Sequence, residues 1–293
     1  MAPSLRCASS LGDVEIRKVL VVGAGQMGGG IAQVVAASGR EVALLDAEPG
    51  AVDRALETMR RSLGKLAEKG GPAPDEVLER ISPLQRLQDA QDADLLVEAV
   101  VEDAAVKEQV FREADEALPA HAILASNTSS IPIGSLTAAT ARPARVIGMH
   151  FFNPVPVLKL VEVIRATETS DETAAAVVAL ARELGKEPVE ARDVAGFVSN
   201  RILMPFINEA VHALAEEIAD AEGIDTVAKL GFGHPLGPLA LADLIGLDTC
   251  VAIMEVLHGG LGDPRFQAAA LLREHVAAGR LGRKSGEGFF TYG

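Results

Sequence analysis

Gly23-Ala-Gly25-Gln-Met-Gly28 directly follows the apolar run Lys18 to Val22 and opens a helical stretch, Gln26 to Ser38, which Gly39 closes. A G-x-G-x-x-G turn at such a junction demands a strand that bends sharply into a helix. The first glycine permits the turn, the second leaves backbone open to a pyrophosphate, and the third lets helix and strand pack closely. Gly29 and Gly30 can add close helix contact without competing with that role. Glu41 to Asp46 resumes as a strand and ends on Asp46, 23 residues after Gly23, where an acidic side chain can accept hydrogen bonds from the adenosine ribose hydroxyls. Gly23, Gly25, Gln26, Met27, Gly28 and Asp46 are therefore candidates to hold a dinucleotide. The Asp46 carboxylate would repel a 2′-phosphate, and Arg40 lies at the wrong end of the strand to compensate, so NAD is favoured over NADP.

Further β-like runs occur at Asp94 to Val100, His121 to Ser126, Arg145 to His150 and Leu158 to Ile164. Helical patterns at Pro49 to Lys69, Asp103 to Leu118 and Asp171 to Leu184 lie between most of them. Strands alternating with long helices predict an α/β fold: a doubly wound Rossmann-type, mostly parallel sheet covered on both faces, with nucleotide at the strands' carboxyl ends. After Arg192 the texture changes to helical segments only, at Phe197 to Ala219, near Ile224 to Leu230, at Pro238 to Leu257 and at Pro264 to Ala278. A boundary near Asp193 to Gly196 is expected. It gives a disordered tail over 1–17, a nucleotide-binding domain over 18–193, and a smaller all-α C-terminal domain over 194–293. The apolar helices of that last domain point to a homodimer; packing against the first domain is the alternative.

A chain of 293 residues with 48% hydrophobic side chains suits two domains with real cores. Its formal charge of −14 argues against nucleic acid or an anionic membrane as partner, and no apolar run reaches the roughly 18 residues of a membrane helix. Cys7 and Cys250 lie far apart with no Cys-x-x-Cys or histidine spacing, so neither a disulfide framework nor a metal site is indicated, and a cytoplasmic protein is expected. Residues 1–17 lack the apolar stretch of a secretory signal. Asp13 and Glu15 count against the competing reading of an organelle-targeting segment.

His150 follows a predicted core strand and so falls at its carboxyl end, on the same edge as the Gly-rich turn; Glu162 lies on the next run. A histidine held by a carboxylate beside a nicotinamide can take the proton of an alcohol while hydride leaves the same carbon. A strand-end histidine is commonly structural, and Glu162 could simply face solvent on an alternating strand. The residues alone leave both readings open.

Longer patterns occur in order: Ala125-Ser-Asn-Thr-Ser129-Ser, His150-Phe-Phe-Asn-Pro-Val-Pro, Leu160-Val-Glu162, Gly196-Phe-Val-Ser-Asn200-Arg and Gly282-Arg-Lys-Ser-Gly-Glu-Gly-Phe289. From about Val19 to Tyr292 the chain resembles the 3-hydroxyacyl-CoA dehydrogenase family, and within it the short-chain, 3-hydroxybutyryl-CoA branch. The resemblance implies NAD-dependent oxidation of an L-3-hydroxyacyl-CoA to the 3-ketoacyl-CoA, or its reverse, in fatty-acid degradation (β-oxidation) or short-chain acid metabolism, by a free-standing dehydrogenase. It implies His150 as general base, Glu162 as its support, Ser129 on the substrate oxygen, and Asn200 on the reacting acyl group. Asn200 could equally cap its helix. Asn127, Ser129 and Asn153 fall in the family's coenzyme motifs.

Glu102 and Lys107 match family positions near the nicotinamide end of NAD, with a helix salt bridge as the alternative. Ser62, Lys65 and Lys69 match positions that hold CoA, with a plain solvated helix face as the alternative. Gln26, Gly29 and Ser199 depart from the residues commoner in the family, which leaves the fit around the pyrophosphate and the thioester open. Two other functions compete: a related L-gulonate-type sugar-acid 3-dehydrogenase that takes no CoA, and a non-catalytic NAD-binding protein.

Overall fold

The computed structural model describes residues 15–293, and the chain divides after Asp193 into two compact units. The first runs β1 (Lys18–Val22), α1 (Gln26–Ala37), β2 (Glu41–Leu45), α2 (Ala51–Ala67), α3 (Pro74–Leu78), β3 (Ile81–Pro83), β4 (Leu95–Glu98), α4 (Ala104–Ala117), β5 (Ile123–Ser126), α5 (Ile133–Thr137), β6 (Val146–Phe151), β7 (Leu160–Arg165), α6 (Asp171–Glu183) and β8 (Glu187–Arg192). Its strands form one sheet in the order β3-β2-β1-β4-β5-β6-β7-β8. Every neighbouring pair is parallel except β6 with β7. The fold is thus the doubly wound, mostly parallel α/β arrangement that the alternation of elements predicts.

The central strands explain themselves. Leu95-Leu-Val-Glu98, Ile123-Leu-Ala-Ser126 and Val146-Ile-Gly-Met-His-Phe151 are buried at every position. A continuous run, without alternation, is what a strand covered by helices on both faces requires. Val19, Val21, Val42, Leu44, Leu95 and Val97 pack with Ile31 and Val35 of α1 in one core. The order of strands reverses between β1 and β4, so the turns after Val22 and Glu98 part there and leave a crevice at the carboxyl edge.

β3 and β8 were not expected. β8 reads Glu-Pro-Val-Glu-Ala-Arg, an exposed edge strand with no apolar face to betray it. Of the expected tail, residues 1–14 lie outside the described residues. Ile16 and Arg17, included in it, are ordered against the sheet: Ile16 is buried, and the Arg17 and Lys18 N–H groups donate to Asp94 Oδ2 at 2.8 and 3.0 Å.

The second unit comprises α7 (Ser199–Ala215), α8 (Ala221–Thr226), α9 (Pro238–Ile245), α10 (Leu247–Leu261) and α11 (Ala270–Ala277). The expected helix Pro238 to Leu257 is two helices, because Gly246 between them adopts φ 103°. The expected helix near Ile224 to Leu230 is α8 followed by a π-helical turn over Val227–Gly231, and Pro264–Phe266 is a separate 3₁₀ turn ahead of α11. Nor is the unit wholly without extended pairing: Gly282 bridges Glu287, and Glu287 bridges Thr291. Met204, Ile207, Val211, Leu239, Met254 and Leu272 centre its core. Two buried carboxylates tie its connections. Asp225 accepts the N–H groups of Leu239 and Ala240 at the start of α9, and Asp243 accepts those of Phe289 and Phe290 and the Tyr292 hydroxyl.

Candidate active site

The turn after β1 is shaped by what it excludes. Gly23 adopts φ 101°, and a Cβ there would lie 2.4 Å from the Ala99 carbonyl oxygen; one on Gly28 would lie 1.7 Å from that of Gly23. A Cβ on Gly25 would meet nothing within 4 Å, so the backbone lies open on that side. Gly25 is the N-cap of α1 and offers no side-chain acceptor to the helix's first N–H groups. An uncapped helix start behind an open glycine suits a phosphate. Asp46 stands beside it, accepting the N–H of Ala24 at 2.6 Å on one oxygen and that of Glu48 at 2.8 Å on the other. Gly23, Gly25, Gln26, Met27 and Asp46 line one wall of a cavity of about 1270 Å³, and Ala99, Val100 and Val101 line the other. These residues fit an extended dinucleotide. Arg40 is engaged elsewhere, by the Ile16 carbonyl, Ser38 and Glu183.

His150 and Glu162 are directly opposed in the β6–β7 register. Side chains of such a pair share one face of the sheet, and His150 Nδ1 lies 2.8 Å from Glu162 Oε2. The carboxylate side chain is 1% exposed and the imidazole 10%. A buried carboxylate demands such a donor. Phe152 packs its ring 4.6 Å from the imidazole. Asn127, after β5, accepts the Phe151 N–H at 2.9 Å and so holds the end of β6.

Ser129 lies in the turn that leaves β5, and Glu102 gathers that turn. One Glu102 oxygen accepts the Thr128 hydroxyl at 2.5 Å, the Ser129 and Ser130 N–H groups at 3.1 and 3.2 Å, and the Ser130 hydroxyl at 2.8 Å. The other faces Lys107 Nζ at 3.3 Å. Burial works to raise the Glu102 pKa, but the Thr128 hydroxyl, the Lys107 ammonium and the Ser130 hydroxyl together hold it below the ordinary carboxylate value. Lys107 itself is buried beneath the turn and lines none of the cavity.

Ser62 and Asn153 line a neighbouring cavity of about 500 Å³ with Gly25, Gly30 and Val155. Lys65 and Lys69 do not line it; both are exposed, Lys65 on α2 and Lys69 just past its end. Asn200 belongs to the second unit, where it is buried near the start of α7 and donates its N–H to the Gly196 carbonyl at 3.1 Å. Its neighbours Gly196 and Phe197 both have positive φ, 74° and 48°.

One buried group escaped the sequence reading. Glu98 ends β4 with no exposure at all, accepting Lys107 Nζ at 2.6 Å and the Val100 N–H at 2.8 Å on one oxygen and the Ser126 hydroxyl at 2.6 Å on the other. An acidic residue closing an otherwise apolar core strand is the signal that was available, since carboxylates are almost never fully buried unless paired.

Two family models match the chain: the NAD binding domain of 3-hydroxyacyl-CoA dehydrogenase over residues 18–194, and the C-terminal domain of the same family over residues 196–292. A Bacillus subtilis protein named "Probable 3-hydroxybutyryl-CoA dehydrogenase" is 54% identical over 282 residues, 95% of this chain and 98% of that one. The 3-hydroxybutyryl-CoA dehydrogenase of Clostridioides difficile is 46% identical over 278 residues, 94% and 99% of the two chains. Among solved structures, (S)-3-hydroxybutyryl-CoA dehydrogenase from Ralstonia eutropha superposes with a TM-score of 0.93 at 48% identity, covering 95% of this chain and all of that one.

Proposed function

The chain belongs to the 3-hydroxyacyl-CoA dehydrogenase family, and we propose that it is an NAD-dependent enzyme that oxidises the 3-hydroxyl of a short L-3-hydroxyacyl-CoA to the ketone and runs the reverse reduction. The observation that carries the reading is the 2.8 Å pair of His150 and Glu162, with His150 near the carboxyl end of β6 in the same parallel run of strands as β1 and β4, which lead to the glycine turn and the cavity wall.

When bound, NAD supplies the hydride acceptor for the oxidation and, reduced, the donor for the reverse. Gly23, Gly25, Gln26, Met27 and Gly28 would seat its phosphates, and Asp46 its adenosine ribose. His150 moves the proton. With Nδ1–H donating to Glu162, a neutral imidazole has its lone pair on Nε2, which takes the 3-hydroxyl proton. The imidazolium that forms is stabilised by the same carboxylate, and in reduction it returns the proton to the developing alkoxide. Ser129 hydrogen-bonds the substrate oxygen, and Asn200 holds the acyl group. Asn127 acts by holding the Phe151 backbone, Asn153 faces the coenzyme from the wall of the smaller cavity, and Glu102 and Lys107 act by holding the turn that carries Ser129. Ser62, with the exposed cations Lys65 and Lys69 following it in the chain, would receive the CoA phosphates; the position of Ser62 in a cavity wall supports that role.

The chain forms a homodimer through the second unit, a reading supported by apolar side chains exposed there, among them Leu230 at 83% and Phe232 at 65%. It works in the cytoplasm: among the described residues no helix is long and apolar enough to cross a membrane, and Cys250 is an unpaired, buried thiol whose pKa burial pushes up to about 12.

The test is direct. Purified protein given NADH and acetoacetyl-CoA consumes NADH, and far more slowly when the thioester is replaced by free acetoacetate. Absence of turnover with the thioester, or an indifference to CoA, overturns the assignment.

A further inference from the structure

Every hydrogen-bonding atom of the Glu98 carboxylate is committed. Glu98 pairs in register with Ser126 on β5 and with Val22 on β1, so it sits between the strand that leads to Gly23 and the strand that leads to Ser129. From there one oxygen holds Lys107 Nζ and the Val100 N–H, fixing the Ala99-Val100-Val101 wall of the large cavity. The other holds the Ser126 hydroxyl, which in turn accepts the Thr128 N–H at 3.1 Å. Lys107 lies between two carboxylates, Glu98 at 2.6 Å and Glu102 at 3.3 Å, and Glu102 receives the Ser129 and Ser130 N–H groups. The turns after β4 and β5 are thereby joined twice, once below through Glu98 and Ser126, and once above through Lys107 and Glu102.

A fully buried carboxylate is expensive, and a well-packed apolar side chain would serve the core at least as well. Its presence makes sense where charge fixes geometry. The mechanism proposed above requires neither Glu98 nor Ser126 to touch coenzyme or substrate, and neither lines either of the two cavities beside the glycine turn. The geometry points to Glu98 as a positioning residue that sets the coenzyme wall at Val100 and the Ser129 turn relative to each other, so that coenzyme seating and placement of the substrate oxygen depend on one buried anion. This rests on the reading of Ser129 and of the glycine-turn cavity given above.

Glu98→Gln keeps the shape and removes the charge. NADH binding, followed by its fluorescence, weakens by about tenfold, the size of one charged hydrogen bond. At saturating NADH and acetoacetyl-CoA, kcat falls by roughly ten- to a hundredfold, as expected for a small misplacement of a reacting group. Ser126→Ala removes only the arm toward Ser129: kcat falls, NADH affinity does not, and the double variant loses less than the product of the two singles. Leu96→Ala, a cavity in the same buried strand, lowers Tm while leaving both readouts alone, which separates positioning from stability. If Glu98→Gln lowers Tm like Leu96→Ala yet keeps kcat and NADH affinity within about twofold of wild type, the inference is overturned. Should Glu98→Gln not fold, an unchanged kcat in Ser126→Ala overturns it equally. Because NADH affinity needs no thioester, a wild-type protein inactive on acetoacetyl-CoA sinks the proposed function and leaves the Glu98 inference to its binding arm.

Discussion

His150 and Glu162 meet across two antiparallel strands, and the proposed proton transfer depends on that one hydrogen bond. The glycine turn and Asp46 are readable because each glycine has a steric reason that spacing alone expresses. The pairing of His150 with Glu162 is not readable in that way, since twelve positions of sequence become one hydrogen bond only after β6 and β7 turn antiparallel in a single register. Lys107 was open to two readings from sequence, a coenzyme contact or a helix salt bridge. It pairs with Glu102 and also with Glu98, a partner on a strand that no helical periodicity could reveal. At this scale the dyad makes the sharpest prediction. His150→Gln lowers kcat by two to four powers of ten, roughly the share of general acid–base catalysis, with NADH affinity intact. Glu162→Gln keeps an acceptor oxygen for the imidazole N–H but removes the charge that stabilises the imidazolium, and lowers kcat by about a hundredfold. A Glu162→Gln enzyme with wild-type kcat would remove the carboxylate from the mechanism.

Elements were legible in proportion to their burial. β1, β4, β5 and β6 are apolar because helices cover both faces, so their runs stand out in the sequence. β3, with three residues ending on Pro83, and β8, with charges at Glu187, Glu190 and Arg192, make their bonds through backbone at the sheet edges and leave little trace in side-chain pattern. The break at Gly246 is hidden for the opposite reason: apolar residues continue on both sides of it. Connections between elements also carry stability that depends on pH. Asp115 on α4 accepts the Ala141 N–H at 2.7 Å, the Thr140 hydroxyl at 2.9 Å and Arg142 Nε at 2.6 Å, tying α4 to the loop ahead of β6. Burial acts to raise its pKa, but those three donors hold it below the ordinary carboxylate value. A depressed folded-state pKa means the contribution is complete above the unfolded value of about 3.9 and is lost as pH falls through the folded one. Asp115→Asn therefore melts below wild type near neutral pH, and the gap in Tm narrows as melts are taken down toward about pH 3. A gap that stays constant with pH would show that ionisation at Asp115 contributes nothing.

At the scale of the molecule, the two units have separate cores and different surfaces: the first carries the glycine turn and the dyad, and the second exposes several large apolar side chains. Ile202, Ile218, Val227, Leu230, Phe232 and Leu244 are each more than half exposed. Single exposed aliphatics need no explanation; this many on one small unit are the apolar side chains that the proposed dimer would cover. Light scattering is expected to give twice the chain mass for the wild type, and a single chain for Leu230→Glu combined with Phe232→Glu. A monomeric wild type would rule the dimer out. The Asp243 clamp bears on how such a molecule comes into being. As the polypeptide leaves the ribosome, the first unit has all its strands once Arg192 has emerged, and domains tend to fold as units in that order. The second unit holds a buried anion whose three donors arrive only with Phe289, Phe290 and Tyr292. That carboxylate therefore lacks all three donors until synthesis reaches Phe289 to Tyr292, long after every strand of the first unit has been made.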